Sequence, residues 1–582
     1  MSLSPTLDTP AAPETPNQQN SRPTVGFVSL GCPKNLVDSE VMMGLLHRGG
    51  AQLTPRAEDA DILVVNTCSF IDSAKQESVD TILEMVQHKI ANGGRAQKLI
   101  VAGCLVERYR DEIRKNIPEV DAVVGTGELE AILEAAGLNR PASNSPFAIL
   151  TTAQIDRHAS AVNQHSRPDS NSPQLRHEAS ALSSFAAGGG SASPGLEVGF
   201  SPLSQDHQHP GFSPGPATTS APWPLSPEPS HSRPEGDARE AAGRFSRESW
   251  DGATAALPTY LYSDETPRIL TTPRSSAYIK IAEGCDHPCS FCIIPQLRGK
   301  FRSRPLASIV AEAKSLIAQG VRELTLIGQD TTCYGEDLPP DAITGKRHEL
   351  ADLLDALAPL PGLKWLRFLY AYPNKITTSL LESIARHDTV AKYLDVPLQH
   401  ASANVLRRMK RGGSADRFLE IIAKARATVP GLVLRTSFIV GFPGETEQDF
   451  EALCEFVLAA QIDWLGVFSY SDEEGAGAFD LDQKVPKRTI ESRRRKLMKL
   501  QQRISKKARK QWIGRELDIL VEGESEETEL LWQGRSLDQA PEIDGKVLIN
   551  DFGPHEVLVP GTFYRAQITE SHDYDVVARI LD

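Results

Sequence analysis

Three cysteines, Cys285, Cys289 and Cys292, fall at i, i+4 and i+7 in Gly284-Cys285-Asp286-His287-Pro288-Cys289-Ser290-Phe291-Cys292. Gly284 and Pro288 turn the chain, so the loop can fold back on one iron-sulfur cube. A 4Fe-4S cluster is normally held by four thiolates, and a loop offering three leaves one iron without a protein ligand. An open iron can chelate the amino and carboxylate groups of S-adenosylmethionine, and one electron then breaks a carbon-sulfur bond to give a carbon radical. A structural zinc knot is the competing chemistry. It would need a fourth Cys or His at tetrahedral reach, for which His287 and Cys333 are the nearby candidates.

A second trio is spread through the amino-terminal region. Val25–Leu30 is an apolar run ending in Gly31-Cys32, Asp61–Asn66 one ending in Thr67-Cys68, and Lys98–Ala102 one ending in Gly103-Cys104, with successive cysteines 36 positions apart. Helical periodicity follows the first run (Leu36, Val37, Val41, Leu45, Leu46) and the second (Val79, Ile82, Leu83, Val86). Strands alternating with helices predict a parallel, Rossmann-like sheet, whose loops at the carboxyl ends of the strands share one rim. Any one of these cysteines could be an ordinary packed residue. Three at the same place in consecutive units are expected to converge as a second three-thiolate 4Fe-4S site on Cys32, Cys68 and Cys104.

The elements that must present the first loop form another βα series. Ala277–Ile281 reads as its first strand, with the cysteine loop leaving the carboxyl end, and further strands are expected at Glu323–Ile327, Trp365–Leu369, Tyr393–Val396, Val433–Ile439 and Trp464–Ser469. Six such units make a partial (β/α)6 relative of the eightfold barrel, with chemistry on the loops after the strands. Polar residues there are the expected cofactor shell: Gln329 after the second strand, Gln399 and His400 after the fourth, able to bond ribose or adenine, and Gly441 after the fifth. A turn in which Thr446 caps the following helix explains the Gly441-Phe442-Pro443-Gly444-Glu445-Thr446 stretch nearly as well.

Composition bounds the rest. The chain has 582 residues, a net charge of -14 and eight cysteines, six of them in these loops. That argues against a disulfide framework and for a reducing, cytoplasmic compartment. No apolar stretch is long enough to span a bilayer, and residues 1–23 read as a disordered tail without signal-peptide character. A three-cysteine domain over 24–140 is followed by a Ser, Pro, Gly and His-rich low-complexity insert over 141–256, which includes His207 and His209 and is expected to be disordered. The second βα domain covers 257–485. A basic helix over 486–511, with Leu497, Leu500 and Ile504 as a narrow apolar stripe, reads as a linker. Short strands at Glu516–Val521, Glu529–Trp532, Gly545–Asn550 and Tyr564–Thr569 then suggest a small β-barrel over 512–582. Between Trp512 and Asp582 five Lys or Arg stand against sixteen Asp or Glu, a local charge of -11. Such a module should repel RNA and attract a basic partner, so strong nucleic-acid binding is not expected.

The CxxxCxxC spacing with its Phe291-Cys292 ending resembles the radical S-adenosylmethionine signature. With the amino-terminal trio and the terminal barrel, the chain from Val25 to Asp582, apart from the insert, is similar to the methylthiotransferase family, which generally lacks such an insert. Pro33-Lys34 after Cys32, where the tRNA-modifying subgroup tends to have Gln-Met, resembles the subgroup acting on the twelfth protein of the small ribosomal subunit. So do Trp532-Gln533-Gly534-Arg535 and Ala540-Pro541-Glu542-Ile543-Asp544-Gly545 in the TRAM-type barrel. The resemblance implies two 4Fe-4S clusters and two molecules of S-adenosylmethionine. One molecule methylates a sulfur. The other, at Cys285, Cys289 and Cys292, yields a 5'-deoxyadenosyl radical that takes hydrogen from the β-carbon of a substrate aspartate, while the second cluster holds the sulfur or methylthio group. It also implies a reduced electron donor such as ferredoxin or flavodoxin, and a sulfur donor. The alternative within the family is tRNA adenosine methylthiolation.

Overall fold

The computed structural model describes residues 22–138, 150–151, 257–525 and 528–582. Residues 1–21 of the expected tail and almost all of the low-complexity insert, with His207 and His209, lie outside the described residues.

The amino-terminal sheet has five parallel strands rather than the three expected. They are β1 (Thr24–Ser29), β2 (Gln52–Thr54), β3 (Ile62–Thr67), β4 (Lys98–Gly103) and β5 (Ala122–Val124), in the spatial order 2-1-3-4-5. The unanticipated β2 and β5 are three residues each, too short to show a period, and sit at the edges. The strands that end at cysteines, β1, β3 and β4, are therefore side by side. Every residue of β3 is buried, as expected where helices cover both faces of a parallel sheet. Helix α1 (Pro33–Arg48) starts on Pro33, whose missing N–H costs nothing in a first turn, and it is buried from Pro33 to Leu46. One side meets the sheet; the other meets the next domain so closely that a Cβ on Gly44 would lie 2.4 Å from the carbonyl of Pro267. Helices α2 (Asp72–Val86) and α3 (Cys104–Asn116) follow β3 and β4.

Strand β6 (Leu150–Thr151) pairs with β7 (Ile269–Leu270) ahead of the second domain. There β8 (Ser276–Lys280) leads into the short strand β9 (Ala282–Glu283), which pairs antiparallel with β10 (Arg302–Ser303). The cysteine loop is thus the tip of a hairpin closed at its base. Strands β11 (Glu323–Ile327) and β12 (Trp365–Phe368) pair parallel alongside β8; β13 (Tyr393–Asp395), β14 (Val433–Val440) and β15 (Trp464–Ser469) form a second parallel triple. The triples meet where the Leu366 N–H donates to the Thr389 carbonyl and Ala391 N–H to that of Leu366. Six parallel strands in chain order make the open half-barrel the periodicity predicts. One apolar core fills the space between these strands and the helices that cover them, with Ile279, Leu324, Leu366 and Phe438 fully buried, while the alternate strand residues, among them Glu323, Arg367 and Asp395, lie on the opposite face.

The terminal barrel is closed: β16 (Glu516–Ser525), β17 (Thr528–Ser536), β18 (Val547–Asp551), β19 (Phe563–Ser571) and β20 (Val576–Ile580), in the order 16-17-18-20-19. The fifth strand, Val-Val-Ala-Arg-Ile, was not among those expected, yet it is the one that removes the open edge. Arg535 anchors this barrel to the half-barrel by donating to the fully buried Glu323. The helix Lys487–Lys510 buries Ile490, Leu497, Gln501, Ile504, Ser505 and Arg509. Among the described residues no helix is long and apolar enough to cross a membrane.

Candidate functional site

Cys32 is the residue before α1, Cys68 follows β3, and Cys104 opens α3, so adjacent strands deliver all three thiols to one rim. Side-chain bonds tie the three loop ends together. Asn35 Nδ2 donates to the Leu30 carbonyl at 2.5 Å, Asn66 Nδ2 to the Asn35 carbonyl at 2.9 Å, Thr67 Oγ1 to the Ala102 carbonyl at 2.5 Å and Ser69 Oγ to the Cys104 carbonyl at 3.0 Å. Gly31 holds φ +90°, and a Cβ there would lie 2.8 Å from Cys68 Cβ, so its backbone makes room for the second thiol.

The thiols share one electrostatic environment. Burial, then the neighbouring Cys104 and Cys32, push Cys68 up to about 12. Burial likewise raises Cys104 against the pull of Arg298. At Cys32 burial acts the same way, but Lys34, Arg298 and the helix N–H groups outweigh it and its pKa is lowered.

Two cations from different domains attend this trio. Lys34 Nζ lies 3.4 Å from the ring centroid of Tyr370, in the loop after β12. Arg298, in the short helix Ile294–Arg298 directly after the cysteine hairpin tip, is buried and donates to Cys104 Sγ at 3.4 Å, to Asp38 at 2.5 Å and to Asn35 at 3.2 Å.

The hairpin-tip trio is built in the same way. Burial raises Cys285 to about 11, with the charges of Cys289, Asp330 and Asp286 adding to the effect, and Cys292 to about 12, with those of Cys289 and Cys285 adding. Arg411 donates to Cys289 Sγ at 3.4 Å and lies over the ring of Tyr372. Tyr372 stacks on His287 at 4.0 Å, and His287 Nε2 is 2.6 Å from Asp330 Oδ2. Tyr370 and Tyr372, two residues apart in one loop, therefore touch the immediate neighbours of both trios.

Among the described residues, only the ligand atoms of His287, Asp330 and Cys333 lie as three within 4.8 Å of one another. Neither cysteine trio is that tight. A tetrahedral zinc with bonds of about 2.3 Å would draw its sulfurs to about 3.8 Å, whereas thiolates on separate irons of a cube stand farther apart. In each trio at least one sulfur therefore stands beyond the spacing that a single tetrahedral zinc asks. The residues proposed to complete a zinc site have other work: the Cys333 thiol donates to Asp330 at 3.1 Å, and Asp330 also accepts from Thr332 N–H, so they form a hydrogen-bonded chain that fixes His287. Cys454 packs at the edge of the half-barrel core.

Of the four expected cofactor contacts, Gln329 lies beside the trio. Its Nε2 donates to Glu283 at 2.5 Å, and its Oε1 is buried without a partner among the described residues. Burial works against the Glu283 carboxylate, yet Lys280 and Arg298 outweigh it and hold its pKa at about 2. Gln399 has φ +72° and bridges through its backbone to Phe438. The other two are packed among neighbouring residues. Gly441 backs onto Ile490 of the Lys487–Lys510 helix, where a Cβ would meet Ile490 Cγ1 at 2.3 Å. His400 is wholly buried, and its Nδ1 accepts from the Ser402 N–H at 3.0 Å.

Burial holds the His400 ring neutral, with a pKa near 3. A histidine depressed in the folded state gives stability that is present above its unfolded pKa of about 6.5 and is lost as pH falls towards 3. By pH 5 the loss is about 2 kcal/mol. Urea unfolding at pH 7 and pH 5 should therefore show the wild type losing about that much more than His400→Gln; equal losses would refute a buried neutral ring.

Arg298, Tyr370 and Arg411 were not singled out from sequence, and Lys34 only as a mark of the subgroup. The one signal available was the run Arg298, Arg302, Arg304 directly after the cysteines, more positive charge than a turn needs.

The chain matches three family models: the uncharacterized protein family UPF0004 over residues 24–125, the radical SAM superfamily over 279–457 and the TRAM domain over 513–581. Fold and thiol loops together define a radical S-adenosylmethionine enzyme with an iron-sulfur cluster. Three curated relatives are named ribosomal protein uS12 methylthiotransferase RimO. That of Koribacter versatilis is 59% identical, covering 99% of this chain and 100% of its own. That of Solibacter usitatus is 48% identical over 96% and 94%, and that of Geobacter sulfurreducens 40% identical over 97% and 99%. The chain belongs to the RimO family of methylthiotransferases.

Proposed function

We propose that this chain inserts a methylthio group at the β-carbon of an aspartate in ribosomal protein uS12, using two molecules of S-adenosylmethionine. The observation that carries the proposal is the sharing of parts between two thiol trios: Arg298, from the cysteine hairpin, bonds Cys104, and the Tyr370–Tyr372 loop touches both surroundings. Cys285, Cys289 and Cys292 would hold one 4Fe-4S cluster and Cys32, Cys68 and Cys104 a second. When bound with S-adenosylmethionine, the first supplies a carbon radical and the second a place for sulfur. A radical is required because an unactivated C–H bond offers neither an acidic proton nor a leaving group.

The protein's own groups then have definite tasks. Arg298 and Arg411 each donate to one thiol of a trio, which stabilises the thiolate form needed for ligation. Asp330 locks His287 against Tyr372, fixing the loop between Cys285 and Cys289. The unsatisfied Oε1 of Gln329 supports a contact to a cofactor ammonium, and Gln399 stands after β13, two strands along the half-barrel. The terminal barrel, at -11, suits a basic ribosomal protein. A reductant such as ferredoxin or flavodoxin and a sulfur donor complete the reaction, and eight unpaired cysteines suit the cytoplasm.

Mass spectrometry of the aspartate-containing uS12 peptide tests the proposal. Cells lacking the gene should lack the methylthio mass and regain it with the gene restored; a modification that persists in the deletion would end it.

A further inference from the structure

The Lys487–Lys510 helix carries twelve Lys or Arg and one Glu, a local charge of +11 in a chain of -14. The structure resolves this charge into a face. Ile490, Leu497, Gln501, Ile504 and Ser505 turn inward, while Arg488, Arg495, Lys499, Arg503 and Lys510 are exposed, at successive spacings of 7, 4, 4 and 7 residues. Those spacings stack them on one side of the helix. At 1.5 Å per residue the row is about 33 Å long.

Neighbouring cations are already paired: Lys506 with Asp573 at 3.1 Å and Lys496 with Glu447 at 4.0 Å. Arg488, Lys499, Arg503 and Lys510 have no ionic partner among the described residues. Helix formation does not call for such a row, since like charges at i,i+4 are destabilising.

We infer that this face docks the enzyme on the phosphate backbone of RNA, so that the substrate is engaged as a ribonucleoprotein. The inference rests on the proposed action on a ribosomal protein. Three observations select RNA. A straight row of cations matches a linear polyanion, whose affinity comes from phosphate neutralisation. The helix spends its apolar face on the half-barrel, leaving none for a lipid surface. Finally, Lys506 and Gln502 hold Asp573 of the acidic barrel, so a basic and an acidic surface adjoin. A basic protein lying on RNA complements both surfaces, whereas an acidic protein would be repelled by the barrel. The acidic barrel argued against nucleic acid; the helix beside it supplies the phosphate-facing cations that the barrel lacks.

The test compares the full-length holoenzyme with its quadruple variant Arg488→Gln, Lys499→Gln, Arg503→Gln and Lys510→Gln. Anisotropy of a labelled single-stranded RNA across a salt series should show wild-type binding whose log K against log salt slope falls by about 3 in the variant. Turnover of small-subunit particles should drop about tenfold or more, with turnover of a free uS12 peptide unchanged. Equal RNA binding by both proteins would overturn the inference. So would polyglutamate or anionic vesicles competing as well as RNA of equal charge. If wild type modifies neither peptide nor particle but the RNA difference holds, the docking surface stands and the proposed substrate falls.

Discussion

Alanine at Cys32, Cys68 or Cys104, one at a time, should leave a folded protein that keeps about four irons. It should still cleave S-adenosylmethionine reductively, while methylthiolated product falls by more than about a hundredfold. Even groups that only orient metal ligands are worth 10–100-fold, so loss of a ligand should exceed that. Alanine at Cys285, Cys289 or Cys292 should abolish cleavage as well. The asymmetry follows from the architecture. The hairpin trio is carried by β9 and β10 of the half-barrel, and the other by adjacent strands of a separate sheet, so neither trio needs the other to fold. Iron and sulfide assays with measurement of 5'-deoxyadenosine distinguish the arms. If a Cys68→Ala protein lost all its iron, or cleaved no cofactor, the two trios would not be independent sites.

Arg535→Met should destabilise the protein by about 3–5 kcal/mol, because it breaks a contact between barrel and half-barrel whose two partners are both buried. Glu323 has no exposed surface, and Arg535 is its principal partner, with Arg367 at 3.6 Å and Ser276 at 2.8 Å as the others. Removing the guanidinium strands a carboxylate where water cannot reach it. Adding Glu323→Gln should recover much of the loss, because the amide needs no counter-charge. Denaturant midpoints of wild type, single and double variants decide it. A single variant within about 1 kcal/mol of wild type would mean that Arg367 suffices.

Sequence made the cysteine-bearing strands visible because each trio member closes a short apolar run. The half-barrel strands likewise matched to within a residue or so at most ends, since buried β-branched and aromatic runs separated by helical periods leave little ambiguity. Strands β2, β5, β9 and β10, of two or three residues each, carry no period and stayed hidden, whereas the equally short β13 was legible from its place in the regular βα series. The polar core of the site was hidden for another reason. Asp38 meets Arg298, Glu40 meets Arg268 at 2.6 Å, and Lys34 meets Tyr370. Each pair is more than two hundred residues apart and from different domains, so no local pattern announces it. Helix α1 looked one-sidedly amphipathic because its polar face is buried against a partner that periodicity cannot see. His400 and Gly441 show packing that their residue types do not announce: the one is wholly buried and the other lies against Ile490.

The hairpin between β9 and β10 holds three thiols at its tip, and its returning limb lends a guanidinium to a fourth, Cys104, in the neighbouring domain. Modularity consequently stops short of the linker. A chimera exchanging the amino-terminal domain between distant relatives should carry residues 284–303 across with it. A seam placed at 257 would ask one parent's arginine to recognise the other parent's helix.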